Sequence, residues 1–417
     1  MALKIAIIGG GSAYAPSLLY AFIQQAATFV GGELALMDIT QPQLAIVQRL
    51  AQRMAETAGA DLTITATSEQ QEAIADADYV LTTFRAGGFP ARYLDEIIPL
   101  RYGIIGQETI GPGGFFFAMR TLPVIKSIIE DITRVAPNAT LINYTNPTQI
   151  VAEAVTHFST VPCISICDQS KDDSKQILSA LGRPDARVEL ESIGLNHATW
   201  STRFTIDDED GIEVMRRGMP RVLASPDVTP RVKRQFRLAD AYGRLPNSYL
   251  QYYYYREETV AEAQAASQTR AQAIMESLPG YYAHFQEQIT APAPQLSHAR
   301  GGSIFGDMAV DVLAGLVRRD GSAFTLNLPN KGALPDFASD RIVEGPARLA
   351  RESAALTPQS TLPSEVVGLL KMLAEYQWAA ARSIWEEDRP GMALALAANP
   401  LVLSLTTARA LLEARRF

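Results

Sequence analysis

Short apolar runs alternate with longer stretches whose apolar positions recur every third or fourth residue through the first 167 positions. KIAIIG (4–9) reads as a buried strand, and a helical stretch follows from about Pro16 to Phe29. ELALMD (33–38) reads as a second strand, and PQLAIVQRLAQRMAETAG (42–59) as a helix with Gly59 as its stop. DLTITAT, ADYVLTTF, ATLINYTN and PCISIC continue the strand series, with helical segments between most of them. Apolar strands separated by helices predict a parallel sheet covered on both faces. The segment 85–115 is glycine-rich, charged and too long for a plain connection, so it is expected to be a binding loop.

Beyond Cys167 the pattern changes. RVELESIGLNHATWSTRFTIDDEDG (187–211) alternates as strands of a mixed or antiparallel sheet do, and ends at an Asp-Gly turn. Helices are expected over roughly 229–243, 256–277 and 301–319. A final helical block, 364–387 and 391–416, is broken by DRPG at 388–391. The fold expectation is α/β: a Rossmann-type doubly wound sheet over 1–168, then an α+β substrate, metal and oligomerisation domain over 169–417.

Composition narrows the partners. Of 417 residues, 47% are hydrophobic and 20% charged, which excludes a disordered or fibrous chain. The net charge of −8, without a long basic run, argues against a nucleic-acid partner. Within a strand the two cysteines, Cys163 and Cys167, would stand roughly 13 Å apart, too far for a disulfide. No stretch reads as a membrane span, so a soluble, reduced, cytoplasmic protein is expected.

The first strand runs into Gly9-Gly10-Gly11-Ser12-Ala13-Tyr14. Two glycines spaced G-x-G let the backbone turn tightly and approach a pyrophosphate at the next helix N-terminus. Tyr14 stands where the usual third glycine would be. Asp38, at the end of the second strand, is positioned to bond an adenosine ribose, and its charge would repel a 2′-phosphate. Gly9, Gly11, Ser12, Ala13, Tyr14 and Asp38 therefore point to NAD rather than NADP. The alternative is a plain glycine turn opening an α/β domain, with Asp38 as a helix cap.

A thiolate and an imidazole both suit a first-row divalent metal, and two protein ligands would leave positions open for substrate. Cys167 and, thirty residues later, His197 in GLNH make such a pair. GGGSAYAP, DEIIPLRYGIIGQETIGPGGFFFAMRTLPV, NYTNPTQIV, Cys167-Asp168, GLNHATW, LPNSYLQYYY, RGG (300–302) and NLPNKG (327–332) follow one another. In this order they resemble the NAD- and divalent-metal-dependent glycosidases of glycoside hydrolase family four. The resemblance implies a lactate/malate dehydrogenase-like fold, NAD as a recycled catalyst, and Mn2+ on Cys167 and His197. It also implies a small-molecule glycoside as substrate, often 6-phosphorylated with α or β linkage, and a homodimer or homotetramer.

Residue by residue, the resemblance makes Tyr249 the base and Asp168 the acid that protonates the leaving group. Arg92, Asn146 and Asn196 become sugar contacts, with Glu108 nearby. Arg270, whose planar fork suits phosphate oxygens, leads the phosphate candidates ahead of Arg85, Arg256 and Arg300. Cys163, His157, His284 and His298 lack matching context and read as structural. The implied route oxidises C3 of the sugar, so that Tyr249 can remove the acidified C2 proton before the C1–O bond breaks. Such a family stands outside two-carboxylate glycoside hydrolysis. Two other readings remain: an NAD-dependent 2-hydroxy-acid dehydrogenase, which leaves Cys167 and Tyr249 unexplained, and a non-catalytic sugar or nucleotide sensor.

Overall fold

In the computed structural model, which describes residues 3–296, 306–350 and 353–415, the opening apolar runs are strands and the periodic stretches helices. The order is β1 (Lys4–Ile8), α1 (Ala15–Gln24), β2 (Gly32–Met37), α2 (Gln41–Ala58), β3 (Leu62–Thr67), α3 (Gln70–Ile74) and β4 (Tyr79–Thr82). Then come α4 (Gly88–Leu100), α5 (Gly111–Val135), β5 (Thr140–Asn143), α6 (Thr148–Phe158) and β6 (Cys163–Ser165). These strands pair in parallel as β3-β2-β1-β4-β5-β6, the doubly wound order whose direction reverses between β1 and β4.

Alternation along the strands builds two cores. Ile5 and Ile7 of β1 pack with Leu18 and Phe22 of α1 and Val47 and Leu50 of α2. Ala6 and Ile8 face the other side, with Phe115, Phe116 and Ile125 of α5 and Val151 of α6. Each fully buried Ile, Leu or Phe contributes roughly 1.5–3 kcal/mol, so the sheet is held from both faces.

The second half continues with α7 (Gln169–Ala180), β7 (Val188–Leu195), β8 (Ala198–Ile206), β9 (Glu209–Asp210), α8 (Gly211–Ala224) and α9 (Pro230–Tyr242). A 3-10 turn (Ser248–Leu250) leads into α10 (Gln251–Tyr254), α11 (Arg256–Ala265), α12 (Arg270–Thr290) and α13 (Asp307–Arg318). Next are β10 (Ala323–Pro329), β11 (Ile342–Leu349), β12 (Ala354–Leu356), α14 (Ser364–Trp385), α15 (Arg389–Ala397) and α16 (Leu405–Ala414). Past β6 the same sheet runs on, now antiparallel, as β10-β11-β7-β8-β9, twelve strands in all with β12 on β11. Asn327 of β10 faces Ser165 of β6, and Glu344 of β11 faces Gly194 of β7. The sheet thus crosses residue 168 without a break, with β10 and β11 between β6 and β7.

Several expected boundaries differ from the structure, each for a local reason. The presumed binding loop 85–115 is mostly helix: α4 fills 88–100, α5 starts at Gly111, and only 101–110 connects them. Its charges are spent inside the protein, Arg92 on Glu96 one turn away and Arg120 on Asp95. The helix expected over 256–277 is two, because Thr269 caps a new helix through a reciprocal capping box with Gln272. The last helical block breaks again around Asn399, and Ser404 caps α16. DRPG does not delay α15, since Asp388 accepts from Gly391 N and caps it directly. The first helix stops at Gln24, with a 3-10 turn over Ala26–Thr28. The reversal in DDEDG falls on Asp207 and Asp208, both at positive φ, while Gly211 opens α8 under the cap of Asp210. Arg300, His298 and the RGG segment lie outside the described residues.

Candidate active site

The segments after β1, β4, β5 and β6 meet at the carboxyl ends of the parallel strands, where doubly wound sheets bind ligands. They line one cleft of about 1000 Å³ with Ser12, Ala13, Tyr14, Arg85, Tyr144, Asn146, Cys167 and Asp168. Helices α4, α7, α9 and α12, the 101–110 connection and the β7–β8 turn close its other sides.

At the glycine turn, geometry explains the residue types. Gly9 has φ +99°, and a Cβ there would sit 2.7 Å from Thr83 O. A Cβ on Gly11 would meet the Asp38 carboxyl carbon at 3.0 Å. Asp38 accepts from Gly11 N at 3.1 Å and Thr40 N at 2.9 Å, so it braces the turn. Tyr282 of α12 donates to Gly11 O at 2.8 Å, laying that helix across the same turn. The Ser12 hydroxyl oxygen is buried without a hydrogen-bond partner, and the first turn of α1 carries no acid. A hydroxyl and an uncompensated helix N-terminus fit a pyrophosphate.

Cys167 and His197 come together in the structure. The β7–β8 hairpin turns at Asn196–His197, with His197 at φ +62°. Its Nε2 reaches to 3.4 Å from Cys167 Sγ. On the ring's other side Nδ1 lies 2.9 Å from Thr109 Oγ1, and that hydroxyl donates to Gln107 Oε1 at 3.0 Å. The hydroxyl oxygen must therefore accept from Nδ1–H, leaving an unprotonated Nε2 directed at the sulfur. Burial lowers the imidazole pKa to about 4 and pushes the Cys167 thiol up. A neutral imidazole and a thiol awaiting a cation suit a divalent metal, which would displace the thiol proton. Among the described residues no cluster of three or more His, Cys, Asp or Glu accompanies this pair.

Tyr249 stacks on His197, ring centroids 4.0 Å apart at 18°. Asn247 Oδ1 holds the Tyr249 N–H at 3.0 Å, and Asp173 of α7 holds Ser248 N at 2.8 Å. Burial pushes the phenol up, and nearby Glu108 adds to that. Asp168 stands at the start of α7 without a side-chain capping bond and receives the Tyr144 hydroxyl; burial raises its carboxyl pKa, against the opposing Tyr144 hydrogen bond.

The arginines divide into spent and unspent. Arg92 donates to Glu96 at 2.7 Å and Glu108 at 2.8 Å, and Arg85 shares Glu108. Glu96 also accepts from Ala271 N at 2.9 Å, tying α4 to the start of α12. Arg270, at that start, lines the cleft, is exposed and has no ion pair among the described residues. Asn146 lines the cleft and turns its amide oxygen to Thr148 Oγ1 at 3.1 Å. Arg256 opens α11 away from the cleft lining.

Asn196, expected as a sugar contact, is not among the residues lining the cleft; its amide donates at 2.9 Å to the buried Glu344. Tyr144, Gln107, Thr109, Lys175 and Arg231 were not anticipated. For Tyr144 a cue existed, its position just after an apolar strand in NYTNP; for the others the sequence offers no local cue.

Comparison with known proteins now has a geometry to meet. The Family 4 glycosyl hydrolase profile matches residues 4–182, and the Family 4 glycosyl hydrolase C-terminal domain matches 192–402. A 6-phospho-beta-glucosidase of Escherichia coli (strain K12) is 32% identical over 418 residues, covering 96% of this chain and 92% of its own. The structure of the 6-phospho-beta glucosidase from Thermotoga maritima with manganese, NAD+ and glucose-6-phosphate superposes with TM-score 0.85 at 25% identity. It covers 99% of this chain and 97% of that one. A 6-phospho-alpha-glucosidase from gut microorganisms in complex with NAD and Mn2+ superposes with TM-score 0.87 at 25% identity, covering 100% and 97%. Malate dehydrogenase from Plasmodium falciparum, 14% identical over 92% and 99% of the two chains, shares the fold at TM-score 0.54.

Proposed function

The chain belongs to the Family 4 glycosyl hydrolases, and we propose that it hydrolyses 6-phosphoglucosides with NAD and a divalent cation, Mn2+, as cofactors. The observation that carries this reading is the 3.4 Å approach of Cys167 Sγ and His197 Nε2, stacked under Tyr249 in the cleft of a dinucleotide-type sheet. A plain dehydrogenase would leave both the thiol and the tyrosine idle.

When bound, the nicotinamide supplies reversible oxidation at sugar C3 and the cation supplies electrophilic stabilisation of the sugar oxygens. Ser12 and the α1 N-terminus fit the cofactor's pyrophosphate, and Asp38 fits its ribose while bracing Gly11. Cys167 and His197 would hold the cation. Tyr249 takes the C2 proton; its raised pKa means the phenol is neutral until a cation stands close. Asp168 keeps a proton to higher pH than an ordinary carboxyl, as a donor to the leaving-group oxygen should, and Tyr144 orients it. Asn146 suits a sugar hydroxyl. Arg92, although paired, lines the same wall, and Arg270, exposed on the cleft lining, suits the 6-phosphate.

A doubly charged sugar phosphate does not cross a bilayer unaided, which supports a cytoplasmic site of action. No described helix is long and apolar enough to span a membrane. The test is a panel of α- and β-linked nitrophenyl glucosides, with and without 6-phosphate, assayed with Mn2+, reductant and NAD far below substrate. Many turnovers per NAD without net NADH are expected. One NADH per product would replace this reading with a dehydrogenase.

A further inference from the structure

Behind the Cys167–His197 pair stands a carboxylate on a different strand. Glu344 of β11 is 3% exposed, and its Oε2 accepts from Asn196 Nδ2 at 2.9 Å. Asn196 is itself fixed: its backbone N–H donates to Gln149 Oε1 at 3.1 Å, and Gln149 donates to Ile342 O at 2.6 Å. Asn196 directly precedes His197 in the β7–β8 turn. One side chain therefore ties the turn that carries His197 to a carboxylate on another strand.

An amide in that place has two orientations. In one, an N–H faces Glu344. In the flipped one, its oxygen would face the carboxylate oxygen, acceptor against acceptor. Glu344 selects the first orientation. Burying a carboxylate is costly, and a side chain that merely filled space there would be apolar.

We propose that Glu344 is a positioning residue for the metal pair, acting through Asn196 to hold the β7–β8 turn that aims His197 at Cys167. The proposal rests on the reading of Cys167 and His197 as metal ligands. Outer partners that orient a ligand are part of its site, and losing one typically weakens metal binding roughly 10–100-fold.

The experiment measures the Mn2+ dissociation constant of chelator-stripped protein from the electron paramagnetic resonance of free Mn2+. NAD binding, read by fluorescence, reports that each variant is folded. Glu344→Leu should weaken Mn2+ at least tenfold with NAD binding intact. Glu344→Gln should stay within about threefold, because it keeps an acceptor oxygen for Asn196; Asn327 Oδ1, directly across on β10 and without a partner, can take its extra N–H. Asn196→Ala should match Glu344→Leu, and decides the matter if Glu344→Leu does not fold. Mn2+ affinity within threefold of wild type in a folded Glu344→Leu or Asn196→Ala protein overturns the proposal, as does Gln behaving like Leu. A Cys167→Ser protein that binds Mn2+ as tightly as wild type would instead overturn the metal reading beneath it.

Discussion

Glu344 makes a second, independent prediction about stability. Burial raises its carboxyl pKa from 4.5 to about 7, with the Asn196 hydrogen bond opposing that rise. The folded state therefore binds the proton more tightly than the unfolded chain. Its stabilising effect is complete below about pH 4.5 and is lost as pH rises through about 7. At about 1.4 kcal/mol per pH unit, the interval amounts to roughly 3 kcal/mol for the metal-free protein. Glu344→Gln keeps the volume and the acceptor but cannot titrate. Urea midpoints of chelated wild type and Glu344→Gln, measured from about pH 5 to pH 8.5, should diverge, the wild type falling relative to the variant. Other groups titrate alike in both proteins, so the difference isolates this carboxyl. Parallel midpoint curves would refute the reasoning and mean that Glu344 is solvated or already paired with a proton-independent partner.

The remaining predictions concern the cleft. Tyr249→Phe should abolish exchange of deuterium at C2 with solvent while leaving Mn2+ affinity within about twofold, since the ring still stacks on His197; unchanged exchange would assign the base to another residue. Arg270→Ala should raise KM for 6-phosphorylated substrates roughly 10–100-fold and leave unphosphorylated ones unaffected, as expected for one charge-assisted contact; equal effects on both would deny it the phosphate. Thr109→Val should weaken Mn2+ about tenfold by freeing the His197 tautomer, a loss visible in the same binding titration; no loss would show that the Nδ1 contact does not set the ring.

The strands of the parallel half and the covered sheet were readable because apolar period maps directly onto burial. Ile5 and Ile7 against Ala6 and Ile8 are the alternation itself, seen from its two sides. Where charge stood in for exposure the reading failed. ARYLDEIIPL was expected to be part of a binding loop, yet Arg92 and Glu96 lie on one helix face and neutralise each other inside it. Paired charges do not need water, and composition cannot see the pairing.

The site divides along the same line. Cys167, His197 and Tyr249 could be named from their motifs, but what gathers them is the passage of the sheet from β6 through β10 and β11 to β7, and no local pattern announces that crossing. Asn196 shows the consequence. Beside a metal ligand in a turn, it read as a sugar contact, whereas its partner Glu344 lies 148 residues away on a strand whose neighbour could not be foreseen. A backbone position is decided by near neighbours, so its sequence cue is near. The direction of a buried polar side chain is decided by whichever donor or acceptor the fold brings opposite, because leaving it unpaired costs about 1–3 kcal/mol. The residues that gather in this site are therefore legible from the chain, and the groups that orient them are not.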